Sequence, residues 1–380
     1  MNEKRPISVL LAPLDWGLGH ATRCIPIINE LVKQGAVLTV AAGGRVKDLL
    51  KLEWPSMEFV EIPGYNITYR KGFFLKWGLV FNLRSILRKI KQENVWLEKI
   101  LEIRKIDLVI ADNRYGLFNK KSYCVFITHQ LAIQTGCNES AGRWPLSVSR
   151  WIDRKILKWN YRLIEKFSCC WIPDWEGEDS IAGSLSHPEV LPRIPVEYIG
   201  TLSRFKKNSK KTVKGTLLIL FSGPEPQRTE FENKLFEQIT NSPMQTVVVR
   251  GLPGSEAPVP FIKEEVKIYN HLPSGELNDM IEEAEIIIAR SGYSTIMDLI
   301  RLGKSAILVP TPGQTEQEYL AAFMRGKKWM YHAPQKNFKL EDALKGFRSM
   351  EKKMPDFRDS ELHNLVKKLL IKVSQKANDK

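Results

Sequence analysis

Two short stretches carry residue types and spacings suited to chemistry. In the first, LAPLDWGLGHATRC at residues 11–24, His20 follows a loop containing Gly17 and Gly19. Glycine lets the main chain approach a ligand closely, and an imidazole can take a proton from a hydroxyl near neutral pH. The second stretch spans residues 286–321, where an apolar run gives way to Arg290, Ser291 and Gly292 ahead of Ser294 and Thr295. At a helix start these residues offer amide and hydroxyl donors to a phosphate, with the helix dipole favouring the anion. Asp298 lies four residues beyond Ser294. It therefore shares one face of the turn and can accept from both hydroxyls of a ribose. A blander reading makes the glycines turn-tighteners, His20 a cap and Asp298 an acid favoured by the helix dipole. That reading leaves unexplained a further polar loop after Pro310, which holds Gln314, Glu316, Gln317 and Glu318.

The elements needed to position these residues can be read from hydropathy. Apolar runs at 7–11, 36–42, 57–62, 107–111, 124–128 and 169–172 alternate with helical patterns, most clearly at 82–104 and 146–166. The pattern restarts with runs at 216–221, 246–250, 266–269, 286–289 and 306–310, the intervening helices beginning near Thr229, Glu276 and Ser294. Strands alternating with helices imply right-handed crossovers and α/β, doubly wound parallel sheets. Ligands of such sheets bind at the carboxyl ends of the strands. Asp112, Arg114, His129 and Gln130 all follow strand ends, so Asp112 and Arg114 are candidates for an acceptor contact or a base. Asp15, beside Trp16, is a candidate to orient His20.

The expected organisation is a first domain over 1–203, a basic linker over 204–214, a second domain over 215–355 and a packed helix within 356–380. The linker, RFKKNSKKTVK, has six basic residues and no acidic one, and reads as a solvated hinge. The chain of 380 residues carries a formal net charge of +14, which points to an anionic partner. No nucleic-acid recognition motif accompanies the charge. Five cysteines without a CxxC pair argue against a disulfide framework and a zinc site, and fit a reducing cytoplasm. The first residues lack a signal-peptide pattern, and no apolar run is long enough to span a bilayer. Between Glu61 and Glu93 seven residues are basic and none acidic, with Phe73, Phe74, Trp77 and Phe81 interleaved. Two readings stand for 69–91: a surface for an anionic bilayer, and an amphipathic helix whose apolar side is core.

RSGYSTIMDLIRLGKSAILVPTPGQTEQEYLA resembles the C-terminal donor-binding domain of glycosyltransferase family 28, which includes the N-acetylglucosaminyltransferase of the lipid-linked peptidoglycan precursor. WGLGH is similar to the family's N-terminal loop ending in histidine, FITHQLAIQTG to its acceptor-side strand end, and LLILFSGPEPQR to the loop opening its second domain. The resemblance implies the GT-B fold, two Rossmann-like domains facing a cleft, and a UDP-sugar as substrate rather than a cofactor. It places Ser222 and Gly223 near the diphosphate, with Ser291, Gly292, Ser294 and Thr295 at the phosphate site. Leu272 would hold the base and Asp298 the ribose, where the family has Glu. Gln317 and Glu318 would face the donor sugar, with Gln314 beside them, and Leu320 replaces the family's Asn. Arg228 or Arg290 would add a cationic contact.

On the acceptor side the resemblance puts Gly17, Gly19, His129 and Gln130. His20, then Asp112, would activate the acceptor hydroxyl in a single inverting displacement. The implied activity is transfer of a hexosyl group, N-acetylhexosamine among the candidates, without a metal, to an acceptor that includes lipid-linked alcohols. The implied location is the cytoplasm, with the inner membrane face as a peripheral site. No Asp-x-Asp triplet is present to suggest a metal-dependent donor site. Two alternatives stay open: a nucleotide-sugar hydrolase or 2-epimerase, since GLGHATRC is also similar to a hydrolase loop, and a non-catalytic nucleotide-sugar binding protein.

Overall fold

The computed structural model describes residues 5–64, 83–133, 146–356 and 361–378. These form two compact units. The first takes the described parts of 1–16, 20–202 and 359–380, and the second takes 17–19 and 203–358.

The first unit is built on a parallel seven-stranded sheet. Its strands are β1 (Ser8–Pro13), β2 (Val37–Ala41), β3 (Glu58–Val60), β4 (Leu108–Asp112), β5 (Tyr123–Ile127), β6 (Cys169–Ile172) and β7 (Val196–Tyr198), in the order β3-β2-β1-β4-β5-β6-β7. Because β1 lies between β2 and β4, the order reverses beside it, and Pro13 pairs with Asp112 at the carboxyl ends. Such a reversal opens a crevice where ligands bind. The central strands are apolar throughout because helices cover both faces. Leu10, Ala12, Val109, Ala111, Phe126 and Cys170 form part of one core cluster. The covering helices are α1 (Leu18–Lys33), α2 (Gly44–Glu53), α3 (Leu83–Ile103) and α4 (Leu146–Ile164). Helix α1 begins three residues before the Ala21 expected from sequence, so His20 stands in its first turn.

The second unit has a parallel six-stranded sheet. Its strands are β8 (Val213–Leu220), β9 (Gln245–Val249), β10 (Val266–Tyr269), β11 (Ala284–Ala289), β12 (Ile307–Leu308) and β13 (Tyr331–His332), ordered β10-β9-β8-β11-β12-β13. Here the reversal falls between β8 and β11, whose ends pair Leu220 with Ala289. The helices are α5 (Gln227–Ile239), α6 (Ser274–Glu283), α7 (Tyr293–Arg301), α8 (Thr315–Gly326) and α9 (Leu340–Ser349). Strands β7 and β13 escape the sequence reading because three and two residues are too short to show periodicity.

The basic stretch differs from the solvated hinge expected of it. Phe205 is buried, and the backbone N–H groups of Lys206, Asn208 and Ser209 donate to side chains of α6. The buried Glu282 carboxylate takes two of these residues, so the charged side chains face solvent while the main chain is fixed. Val213 and Lys214 already belong to β8. The last helix, α10 (Leu362–Asn378), packs in the first unit through Leu362, Val366, Leu369 and Val373, at alternating spacings of four and three. His363 Nδ1 lies 2.7 Å from Glu30 Oε1, on α1.

Candidate active site

At the reversal of the first sheet, β4 delivers Asp112, and the first two turns of α1 deliver His20 and Arg23. His20 Nδ1 is 3.1 Å from Asp112 Oδ2. Arg23 Nε donates to the same oxygen at 2.8 Å, and its Nη2 closes on Asp112 Oδ1. Arg23 Nη2 is also 2.9 Å from His20 Nδ1, and Nη1 is 2.9 Å from His129 Nδ1. Asn113, next to Asp112, is left-handed at φ 53°, a conformation that asparagine tolerates better than most residues. It turns the chain sharply off β4. His129 and Gln130 follow β5, and the Gln130 N–H donates to Thr128 Oγ1 at 3.0 Å.

Exposure separates the two candidate bases. The His20 side chain is 17% exposed and that of Asp112 is 0%, so a substrate hydroxyl can reach only the former. Burial alone would raise the Asp112 carboxyl, but Arg23 and His20, by charge and hydrogen bond, hold it well below the usual carboxylate range. Asp112 is therefore the carboxylate that faces the imidazole. Burial is also the largest influence on His20 and lowers its pKa. Asp112 pulls the value up and Arg23 pushes it down, and the net result is below the ordinary histidine value. Asp15, the residue expected to orient His20, forms an ion pair with Arg114 at 3.5 Å. Arg114 itself is buried, donating to Glu93, to the Pro13 carbonyl and to the Pro63 carbonyl, which anchors the end of β1. As an acceptor contact it is ruled out by that burial.

The second unit gathers its candidates at the corresponding reversal. Ser222 and Gly223 follow β8, and Gly223 has φ +103°, open to glycine and strained for other residues. Arg290 to Gly292 follow β11, and Gly292 caps α7 in extended conformation. Ser291 turns inward, its Oγ donating to the Gln317 carbonyl at 2.7 Å. Ser294 Oγ donates at 2.8 Å to the carbonyl of Gly19, which clusters with this unit together with Gly17. Gly17 has φ +148°. Leu272, buried, follows β10. Thr295 and Asp298 lie in α7, both half-buried. Asp298 Oδ1 accepts from Ser203 Oγ at 2.6 Å, and burial pushes its carboxyl up to about 6 against the pull of Arg204 and Ser203. The loop before α8 is internally braced. Gln317 Oε1 accepts from Thr311 N, Glu318 Oε1 accepts from Gly313 N, and Gln317 Nε2 donates to Gln314.

The two arginines expected at the diphosphate are turned into the framework. Arg228 is buried against Glu232 and Glu225 and also donates to Thr229, so its charge is already compensated. Arg290, 1% exposed, has no carboxylate partner among the described residues. Its Nη groups donate to the carbonyls of Val309, Pro310 and Gln227 and to Gln335, tying three strand ends and the start of α5 together. Direct contact with a ligand gives way to a buried positive charge beneath the site.

Sequence reasoning missed Arg23, Ser203 and Thr311. An arginine inside a helix ordinarily reads as surface, and only β4 and β5 show what it faces. Thr311 Oγ1, Gln227 Oε1 and Arg290 Nε are buried without partners among the described residues. Buried polar atoms are normally paired, so these three, which follow β8, β11 and β12, are candidates for contacts to a ligand. Most of the basic-aromatic stretch 69–91 lies outside the described residues, and no described helix is long and apolar enough to cross a membrane.

Comparison with known proteins places these observations. Residues 226–371 match the glycosyltransferase family 28 C-terminal domain. An uncharacterized glycosyltransferase of Methanosarcina acetivorans is 23% identical over 326 residues, covering 84% of each chain. Among solved structures, the glycotransferase of kitacinnamycin superposes with a TM-score of 0.61 at 15% identity, covering 99% of this chain and 98% of its own. Glycosyltransferase VinC in complex with DTDP gives 0.56 at 12% identity, covering 97% and 100%. MurG from Acinetobacter baumannii gives 0.51 at 13%, covering 97% and 95%. The fold is that of GT-B glycosyltransferases, two parallel-sheet α/β domains.

Proposed function

We propose that this GT-B chain, whose residues 226–371 match the glycosyltransferase family 28 C-terminal domain, transfers a hexosyl group from a UDP-sugar to an acceptor hydroxyl with inversion. The observation that carries the reading is the His20–Asp112 pair at the reversal of the first sheet. The matching reversal of the second sheet, where Ser222, Gly223 and the start of α7 follow β8 and β11, supports a donor site there.

In this reading Asp112 accepts from His20 Nδ1–H, leaving Nε2 as the base. Nε2 takes the acceptor hydroxyl's proton as its oxygen attacks the anomeric carbon. The bond from that carbon to the diphosphate oxygen breaks on the opposite face, and the nucleoside diphosphate leaves with the electron pair. The amides at the start of α7 and around Gly223 oppose the developing charge, with buried Arg290 beneath them. Asp298, still carrying a free lone pair, receives the ribose hydroxyls. Gln317 and Glu318 face the donor sugar from a braced loop. The acceptor is an alcohol, and a lipid-linked one suits the net charge of +14 and the basic-aromatic stretch. The chain then works at an anionic membrane face.

The test pairs binding with turnover. Calorimetry with UDP and a panel of UDP-sugars should give binding in the wild type and in His20→Gln. Radiolabelled transfer to alcohol acceptors should fall by about a hundredfold or more in His20→Gln, the scale of general-base catalysis. Absence of UDP binding would sink the donor assignment. Free sugar released without any acceptor would replace transfer by hydrolysis.

A further inference from the structure

Arg23, on α1, is 2% exposed and engages the charged and titratable groups that act on His20 among the described residues: Asp112 from β4 and His129 after β5. Two physical consequences follow from this geometry. First, a guanidinium carries only donors, so Arg23 Nη2, 2.9 Å from His20 Nδ1, brings a positive charge to the ring that opposes a second proton there. Second, the fork holds both oxygens of Asp112, so the carboxylate that faces the imidazole is already neutralised. A bare buried carboxylate 3.1 Å from Nδ1 would instead hold the ring as an imidazolium, and a protonated ring is no base.

We propose that Arg23 is a positioning residue that keeps His20 in its neutral, proton-accepting form by cancelling the charge of Asp112 at the ring. The same fork reaches His129 Nδ1 at 2.9 Å and so holds that ring beside the pair. The proposal rests on His20 being the base, and its test is built so the two can fail separately.

The test is nitrogen and carbon NMR of the imidazoles in the full chain, with His20→Gln to assign the signal. In Arg23→Gln the His20 titration midpoint should rise by about one pH unit or more, the size of an uncompensated neighbouring carboxylate. In Arg23→Lys, which keeps the charge, it should stay near wild type. The acidic limb of kcat/KM should move up in parallel in Arg23→Gln, and the rate near pH 6 should drop by up to about tenfold for each pH unit that the midpoint climbs. A midpoint in Arg23→Gln that stays or falls would overturn the proposal, as would an equal rise in Arg23→Lys. If circular dichroism shows Arg23→Gln unfolded, Asp112→Asn and the double variant Arg23→Gln/Asp112→Asn replace it. His20 should then titrate higher in the double variant, and equality would overturn the role. Full turnover by His20→Gln would remove the base while leaving the titration result standing.

Discussion

At the scale of single residues, the site is a set of charges placed where burial would otherwise forbid them. Asp298 illustrates the consequence. Its carboxyl, pushed up to about 6 by burial, binds a proton more tightly in the folded chain than in the unfolded one, near 3.9. Stability from this group is therefore present at low pH and falls as pH rises through the window from about 4 to 6. If ribose hydroxyls donate to Asp298, the ligand needs the ionised form. UDP affinity should then weaken as pH drops below 6, by up to about tenfold per pH unit. Asp298→Asn should lose that slope and keep only the slope of the diphosphate itself; calorimetry from pH 5 to 8 checks both. A slope unchanged in the variant would place the ribose elsewhere. His20 moves in the opposite sense, so the acidic limb of the rate profile should lie below the ordinary histidine range. His20, Ser291 and Asp298 were legible in the sequence as candidates because their types sit where strands end. Arg23 was not, because its partners are contributed from 89 and 106 residues away.

At the scale of elements, loops are held by backbone donors that the sequence does not advertise. Glu282 accepts from Asn208 N and Ser209 N, and with Asn278 pins a stretch rich in trypsin sites against α6. The wild type should therefore resist trypsin between Lys206 and Lys211. Glu282→Ala should open that stretch within minutes and lower stability by about 1–2 kcal/mol, since Asn208 and Ser209 lose their part-buried backbone hydrogen bonds. Mass spectrometry of the digest reads the first cut, and an early cut in the wild type would contradict the clamp. Gly251 makes a similar point for the diphosphate loop. It has φ +67°, and an added Cβ would lie 2.3 Å from the Phe221 carbonyl. Gly251→Ala should displace the backbone at Ser222, reducing UDP affinity and lowering Tm by several degrees, about 2–4 °C per kcal/mol. Unchanged UDP binding would show that the Ser222–Gly223 backbone is not part of the site.

At the scale of the whole molecule, a net charge of +14 sets long-range behaviour. Co-sedimentation with anionic phospholipid vesicles should be measurable at low salt and vanish near 0.5 M, where the screening length is only about 4 Å. Retention on neutral vesicles alone would point to apolar insertion instead of charge. The sequence by itself determined the two-fold alternation of strands and helices, the strand ends that carry polar loops and the similarity of residues 226–371 to the glycosyltransferase family 28 C-terminal domain. Those follow from local periodicity and from residue types at short spacing. Tertiary structure alone decided which charges are neutralised. Arg228 and Arg114 became framework, Arg290 a buried charge without a carboxylate among the described residues, and Asp112 the partner of both His20 and Arg23. Whether an ionised group serves the fold or the substrate depends on partners distant in the chain, and only the parallel order of the strands brings them together.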